Sequence, residues 1–148
     1  MTNNLKTLIQ SYANGDGGET LSKSYKDRLT TVFTILINDF PNITSVQDAG
    51  ANVTPFTLDT TGIPTIITVT ASDPEELPLT YSYSLTAGSL TNGGGTTATV
   101  VQGTGANINQ FTITPSTTVE YAGTFELTFT ASDGINTATS PNIFILTF

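Results

Sequence analysis

The sequence predicts an all-β fold: a seven-stranded sandwich over residues 41–148, carrying an N-terminal arm over residues 1–40. Three observations point there. The chain holds 31 threonines and 13 glycines against 11% charged residues, so β-branched side chains supply strand propensity while hydroxyls supply solubility. After Pro41, seven short runs rich in Thr, Val, Ile, Tyr and Phe recur between turn residues, the spacing of a sandwich. Within the sixth run, Phe125, Leu127 and Phe129 alternate with Thr124, Glu126, Thr128 and Thr130, which gives one face for a core and one for water.

Taken in order, the arm comes first. Leu5, Leu8, Ile9 and Tyr12, then Leu21, Tyr25, Leu29, Val32, Phe33 and Leu36, fall at three- and four-residue spacing, which reads as one short and one longer amphipathic helix. Asn14-Gly15-Asp16-Gly17-Gly18 is the turn between them, and Thr20, Ser22 or Ser24 can cap the second helix. Against the longer helix, residues 30–37, TTVFTILI, are β-branched enough to be a strand, and periodicity alone does not settle so short a run; Pro41 ends whichever forms. The strands that follow are expected at 43–46, 64–71, 79–84, 96–101, 108–114, 124–131 and 143–148, with Ile113, Phe125, Leu127, Phe129 and Ile145 in the core.

Charge divides the chain in the same place. All four basic residues, Lys6, Lys23, Lys26 and Arg28, lie in the first 28, which carry a net +1; residues 29–148 hold nine carboxylates and no Lys or Arg, a body of −9 in a chain of −8. Such a body makes no internal salt bridges, repels its own copies and cannot neutralise phosphates, so neither nucleic acid nor an anionic membrane is an expected partner. There is no Cys and no His. That removes disulfides, thiolate metal sites and the usual activated nucleophiles, and a carboxylate pair of the glycosidase kind would lack Trp and cationic neighbours. No enzyme and no cofactor are expected. No window reaches the apolar length of a signal h-region or a membrane span, so an extracellular chain is expected to be either a mature fragment or one released by a route such as lysis that requires no signal.

One pattern occurs twice: Thr68-Val69-Thr70-Ala71-Ser72-Asp73 and Thr128-Phe129-Thr130-Ala131-Ser132-Asp133. It reads as the second and sixth strands of one sandwich, in opposite sheets with their following turns at the same end. Asp73, Glu75, Glu76 and Asp133 then cluster and offer the hard oxygen ligands calcium prefers, although Asp in such turns also bonds its own backbone. Asn14 to Glu19 matches part of a calcium loop without its leading ligand, and is better read as a turn. Tyr81 and Tyr83 share a strand face suited to cross-strand packing or to sugar contact, Tyr121 is placed to pin the corner before the sixth strand, and Asn92-Gly93-Gly94-Gly95 is a loop tip.

Ser72-Asp73-Pro74-Glu75 followed by Leu79-Thr80-Tyr81-Ser82, then Phe111-Thr112-Ile113-Thr114-Pro115-Ser116-Thr117, then Tyr121-Ala122-Gly123-Thr124-Phe125 running into Ala131-Ser132-Asp133-Gly134, together carry a resemblance. Residues 64–148 resemble the immunoglobulin-like and cadherin-like modules of bacterial surface proteins and of structural proteins of marine bacteriophages. The sequence departs twice: Glu76 stands where such modules usually have Gly, and the Asp-x-Asn-Asp-Asn calcium motif of true cadherins is absent.

The resemblance implies an immunoglobulin-like sandwich in an extracellular or virion-surface setting. With the charge division it leads to an expected function: a non-enzymatic structural subunit of a phage virion or self-assembling surface filament. In this reading Lys23, Lys26 and Arg28, with the apolar face of Leu29, Val32, Phe33 and Leu36, join each copy to other copies or to a host shell or tail protein, giving a homo-oligomer or polymer. The rival expectation is a glycan- or receptor-binding adhesion module using the loops around Asn92 and Asp133.

Overall fold

The computed structural model describes residues 38–148. The helices or strand expected before Asn38, and the calcium-loop fragment there, lie outside the described residues. Among the described residues ten strands form: β1 Asn42–Asp48, β2 Phe56–Thr57, β3 Thr65–Ser72, β4 Thr80–Gly88, β5 Thr91–Asn92, β6 Gly95–Thr96, β7 Ala98–Gln102, β8 Gln110–Pro115, β9 Gly123–Ser132 and β10 Thr137–Leu146. Each of the seven expected runs falls on a strand. The count of seven is corrected to ten by β2, β5 and β6, two residues each, too short to show any period in the sequence.

The strands make two four-stranded sheets, ordered β1-β3-β8-β7 and β2-β10-β9-β4, with β5 and β6 forming a separate small hairpin. Neighbours are antiparallel except β2, which runs parallel to β10 through the pairs Phe56 with Phe144 and Thr57 with Ile145. The chain therefore crosses from one sheet to the other between β1 and β2. The repeated motif lands as expected, on β3 in one sheet and β9 in the other. Register slips by one residue in β1 between Ile43 and Ser45 and in β4 between Leu85 and Ala87, the strand-bending irregularities common on edge strands.

The core is one layer of side chains between the sheets. Ile67, Val69, Phe111 and Ile113 come from the first sheet, and Phe125, Leu127, Phe129, Phe144 and Leu146 from the second, each at most 1% exposed. Phe111 of β8 meets Phe129 of β9 at 4.8 Å between ring centroids, and Phe144 stacks on Phe125 at 5.3 Å and on Phe56 at 5.0 Å. Of the expected core residues, Ile113, Phe125, Leu127 and Phe129 are buried as read. Ile145 is corrected: it is only half-buried, and Phe144 and Leu146 point inward instead. Asn142-Ile143-Phe144-Ile145-Leu146 is apolar on both parities, so its own pattern does not choose a face; pairing with β9 does, setting Phe144 opposite the inward Phe125.

Truncating a ring in this layer should be costly. Phe129→Ala is expected to lose about 3–5 kcal/mol, and Phe144→Ala a comparable amount. Ile145→Ala should cost about 1 kcal/mol, because a half-buried side chain loses less apolar burial and leaves no closed cavity. Urea unfolding of the three variants checks both the core and the inward face of β10.

Candidate functional site

Two regions concentrate the polar chemistry: the end of the sandwich that holds the turns after β3 and β9, and the outer edge of β10. β1 begins with Asn42 opposite Ser72, the last residue of β3, and β4 begins with Thr80 opposite Ser132, the last residue of β9. Both acidic turns and the entry of the chain into β1 therefore share one end, as the repeat implied.

Each turn is closed by its own carboxylate. Asp73 Oδ1 accepts the backbone N–H groups of Glu75 and Leu77, both at 3.0 Å, while its carbonyl accepts Glu76 N–H at 3.1 Å. Asp133 Oδ1 accepts the N–H groups of Ile135 and Asn136, both at 2.6 Å, and Ser132 Oγ accepts Gly134 N–H while donating to the Asn136 carbonyl. Asp73 Oδ2 is buried without a hydrogen-bond partner, but among the described residues no three carboxylates are grouped to hold a metal ion. Asp73, Glu75, Glu76 and Asp133 thus share an end without forming a cage, because the two Asp side chains are committed to their turns.

The Glu76 departure has a defined geometry. Glu76 sits at φ 59°, the left-handed region where glycine is usual, so the turn keeps the backbone conformation a glycine would adopt and carries a side chain at a strained position.

The other singled-out residues among the described ones join neighbouring elements. Tyr81 and Tyr83 pack half-buried against the core; Tyr83 stands edge-on to Phe111 at 5.7 Å, and its hydroxyl donates to the Val100 carbonyl at 3.2 Å, tying β4 to β7. Desolvation raises the Tyr81 phenol above its ordinary value. Asn92 Nδ2 donates to the Ala122 carbonyl at 2.5 Å, anchoring the β5–β6 tip to the turn before β9. Tyr121 acts there too: a methyl built on Gly95 would overlap its ring, so glycine is required beneath it. Gln102 carries a role the sequence reading missed. Its Nε2 donates to the carbonyls of Tyr81 at 2.7 Å and Ile108 at 2.8 Å, a second stitch between β7 and β4, and nothing in its sequence context marks it. Lys23, Lys26, Arg28, Leu29, Val32, Phe33 and Leu36 lie outside the described residues.

Along β10, Ile143 N–H donates to Thr54 Oγ1 at 2.7 Å and the Ile145 carbonyl accepts Leu58 N–H at 2.8 Å, so these residues turn their backbone groups away from β9. The register with β9 is unbroken from Thr137 to Leu146, and antiparallel pairing alternates, so Thr137, Thr139 and Pro141 face the same way. β2 pairs only with Phe144 and Ile145. Pro141, which has no N–H to offer, sits where its missing donor would face outward.

Asp48 closes the loop after β1. Its carboxylate accepts Asn52 Nδ2 at 3.0 Å and the N–H groups of Gly50 and Asn52, both at 2.9 Å. The Asn52 side chain, first among these, holds its pKa below the ordinary 3.8.

No protein-family model matches the chain, and no curated protein matches it. Among solved structures it is similar to part of an endo-fucoidan hydrolase from glycoside hydrolase family 107, with 17% identity and a TM-score of 0.43, over 73% of this chain and 14% of that one. A likeness so distant, spanning a seventh of an enzyme's length, assigns neither activity nor substrate.

Three outcomes are expected. Glu76→Gly should raise stability by about 0.5–1 kcal/mol, the relief of left-handed strain exceeding the added flexibility of the unfolded chain, as read by denaturant unfolding. A chelator should leave the melting temperature unchanged. Because the Asp48 pKa is lower in the folded state, its contribution is present above pH 3.8 and lost as pH falls through the lowered folded value. Asp48→Asn should therefore flatten the acid limb of a melting-temperature profile; the group is exposed, so the effect is small.

Proposed function

We propose that the chain is a non-enzymatic structural subunit of an extracellular assembly, a phage virion component or a self-assembling surface filament, in which residues 1–40 join an immunoglobulin-like sandwich, residues 41–148, to its neighbours. The observation that carries this reading is the separation of charge: every Lys and Arg lies in the first 28 residues, and the following 120 carry −9. Identical bodies repel in solution, and an arm holding all the cations with an apolar face offers each body an acceptable neighbour.

The fold supports the reading in two ways. The strand order, with the chain crossing between sheets early and its second strand running parallel to the last, is what an immunoglobulin-like module would have. The residues best placed to do chemistry are occupied in holding turns and sheet edges together. The adhesion-module alternative has less support, since Asn92 is tied to Ala122 and both Tyr81 and Tyr83 pack on the core. Immunoglobulin-like modules serve as spacers, decorations and binding heads alike, so the assignment rests on the charge pattern rather than on the fold.

Deleting residues 1–40 should leave a soluble, cooperatively unfolding monomer that no longer joins the assembly, read by sedimentation and electron microscopy. Replacing Lys23, Lys26 and Arg28 together by Glu should weaken joining without unfolding the body. Exposed ion pairs contribute only about 0–1 kcal/mol each, so that loss should be partial and should shrink at high salt. A deleted chain that still assembles as before would end this reading.

A further inference from the structure

We infer that Asn92 is a self-modifying residue: the backbone nitrogen of Gly93 attacks its side-chain amide, ammonia leaves, and water opens the resulting succinimide to aspartate or isoaspartate. The inference does not depend on the subunit reading. It assigns a covalent modification site to the β5–β6 tip, and with it a release of that hairpin from the turn before β9.

The reaction needs a reachable nitrogen, an adjacent amide carbonyl and water, and the tip supplies the first two while opening to the third. Gly93 N–H donates to Asn92 Oδ1 at 2.9 Å, so the nucleophile already lies against the carbonyl it attacks. Asn92 and Gly93 are both exposed, which admits the hydroxide that takes the Gly93 proton. Gly93 at φ 58° and Gly94 at φ 86° turn the chain between the paired residues Asn92 and Gly95, and no side chain on Gly93 screens its nitrogen. A Cβ there would overlap the Glu120 carbonyl oxygen, so the fold itself keeps this position a glycine. Every other Asn among the described residues is followed by a residue with a side chain, β-branched in most cases, which crowds the attacking nitrogen. Asn92 is singled out by both its neighbour and its contact.

The step balances with the chain and one water. The Gly93 nitrogen forms a bond to Asn92 Cγ and gives up its proton, the Cγ–Nδ2 bond breaks, and Nδ2 departs as ammonia with that proton made good. Water then adds to either carbonyl of the five-membered ring. Opening one C–N bond leaves aspartate, while opening the other routes the main chain through Cβ and leaves isoaspartate. Both products lose the Nδ2 donor that reaches the Ala122 carbonyl at 2.5 Å, and aspartate sets a carboxylate oxygen in its place. Two acceptors then face each other without a proton between them. Isoaspartate adds a backbone methylene before Gly93, at odds with the pairing of Thr91 with Thr96 and of Asn92 with Gly95. One carboxylate joins the nine already present, so the body passes from −9 to −10.

The full chain, held folded at mildly alkaline pH and then cleaved after Glu, reads the site directly, because residues 77–120 form one peptide that also contains Asn107 and Asn109. Asn92 should exchange NH for O at least about tenfold faster than either of those, as located by tandem mass spectrometry, and an isoaspartyl methyltransferase should label the same peptide. Asn14-Gly15, the same dipeptide in the arm, falls in the separate peptide 1–19. Asn92→Gln keeps an amide but has to close a six-membered ring, and should stay unmodified. Asn92→Asp reproduces one product and should speed hydrogen exchange at the amides of Thr91 and Thr96, with the amides of β9 as slow as in the parent. An Asn92 that stays intact in the folded chain overturns the inference, and its conversion in urea would then show that the fold protects it. Conversion with exchange at Thr91 and Thr96 unchanged would overturn the release of the hairpin.

Discussion

Everything in the sandwich depends on one contact between sheets, the meeting of Phe111 and Phe129 at 4.8 Å. Tyr83 extends it from one side, and Phe144, edge-on to Phe129 and stacked between Phe125 and Phe56, extends it from the other. Ring pairs of this kind contribute on the order of 0.5–1.5 kcal/mol beyond the apolar area they bury. In a chain without cysteine, and in a body without a cation, neither a disulfide nor a salt bridge inside that body can substitute for them.

The same absence shapes the periphery. Where other proteins use Lys or Arg to cap carbonyls and guard edges, this one uses amides and hydroxyls. Gln102 and Tyr83 lace β7 to β4, Asn109 Nδ2 bonds the Val69 carbonyl at 3.0 Å, Asn92 secures the β5–β6 hairpin, and Asp48, Asp73 and Asp133 close their own loops. Such bonds tie backbone segments together without a cationic side chain. The body is acidic overall, yet β10 itself carries no charged residue.

Where the sequence was legible, a periodic signal had room to develop. β9 alternates over ten residues, and its face was readable from Phe125, Leu127 and Phe129 alone. β10 is as long, but its last five residues are almost uniformly apolar, so parity was left to the partner strand and Ile145 was misplaced. The two-residue strands carry no pattern; they exist because the chain must cross between sheets or reverse in a short hairpin. At the acidic end the turns and their shared location could be read from the repeat. The lack of a cage could not, since that depends on which way each carboxylate turns, and Asp73 and Asp133 turn toward their own N–H groups. That Thr137 and Thr139 turn their backbone groups away from β9 follows only from the register of β10.

The parallel pairing of β2 with β10 also has a mechanical meaning. β1 starts at the end where β10 starts, and β10 finishes at the opposite end, so tension applied between Phe40 and Phe148 runs along the strands. Pulled this way, β2 and β10 slide past each other, and the bonds from Leu58 to Ile145 and from Ile143 to Thr54 must break together rather than unzip one at a time. Tension entering at Phe40 reaches the β1–β3 pairing first, and the short strand is a shear clamp behind it.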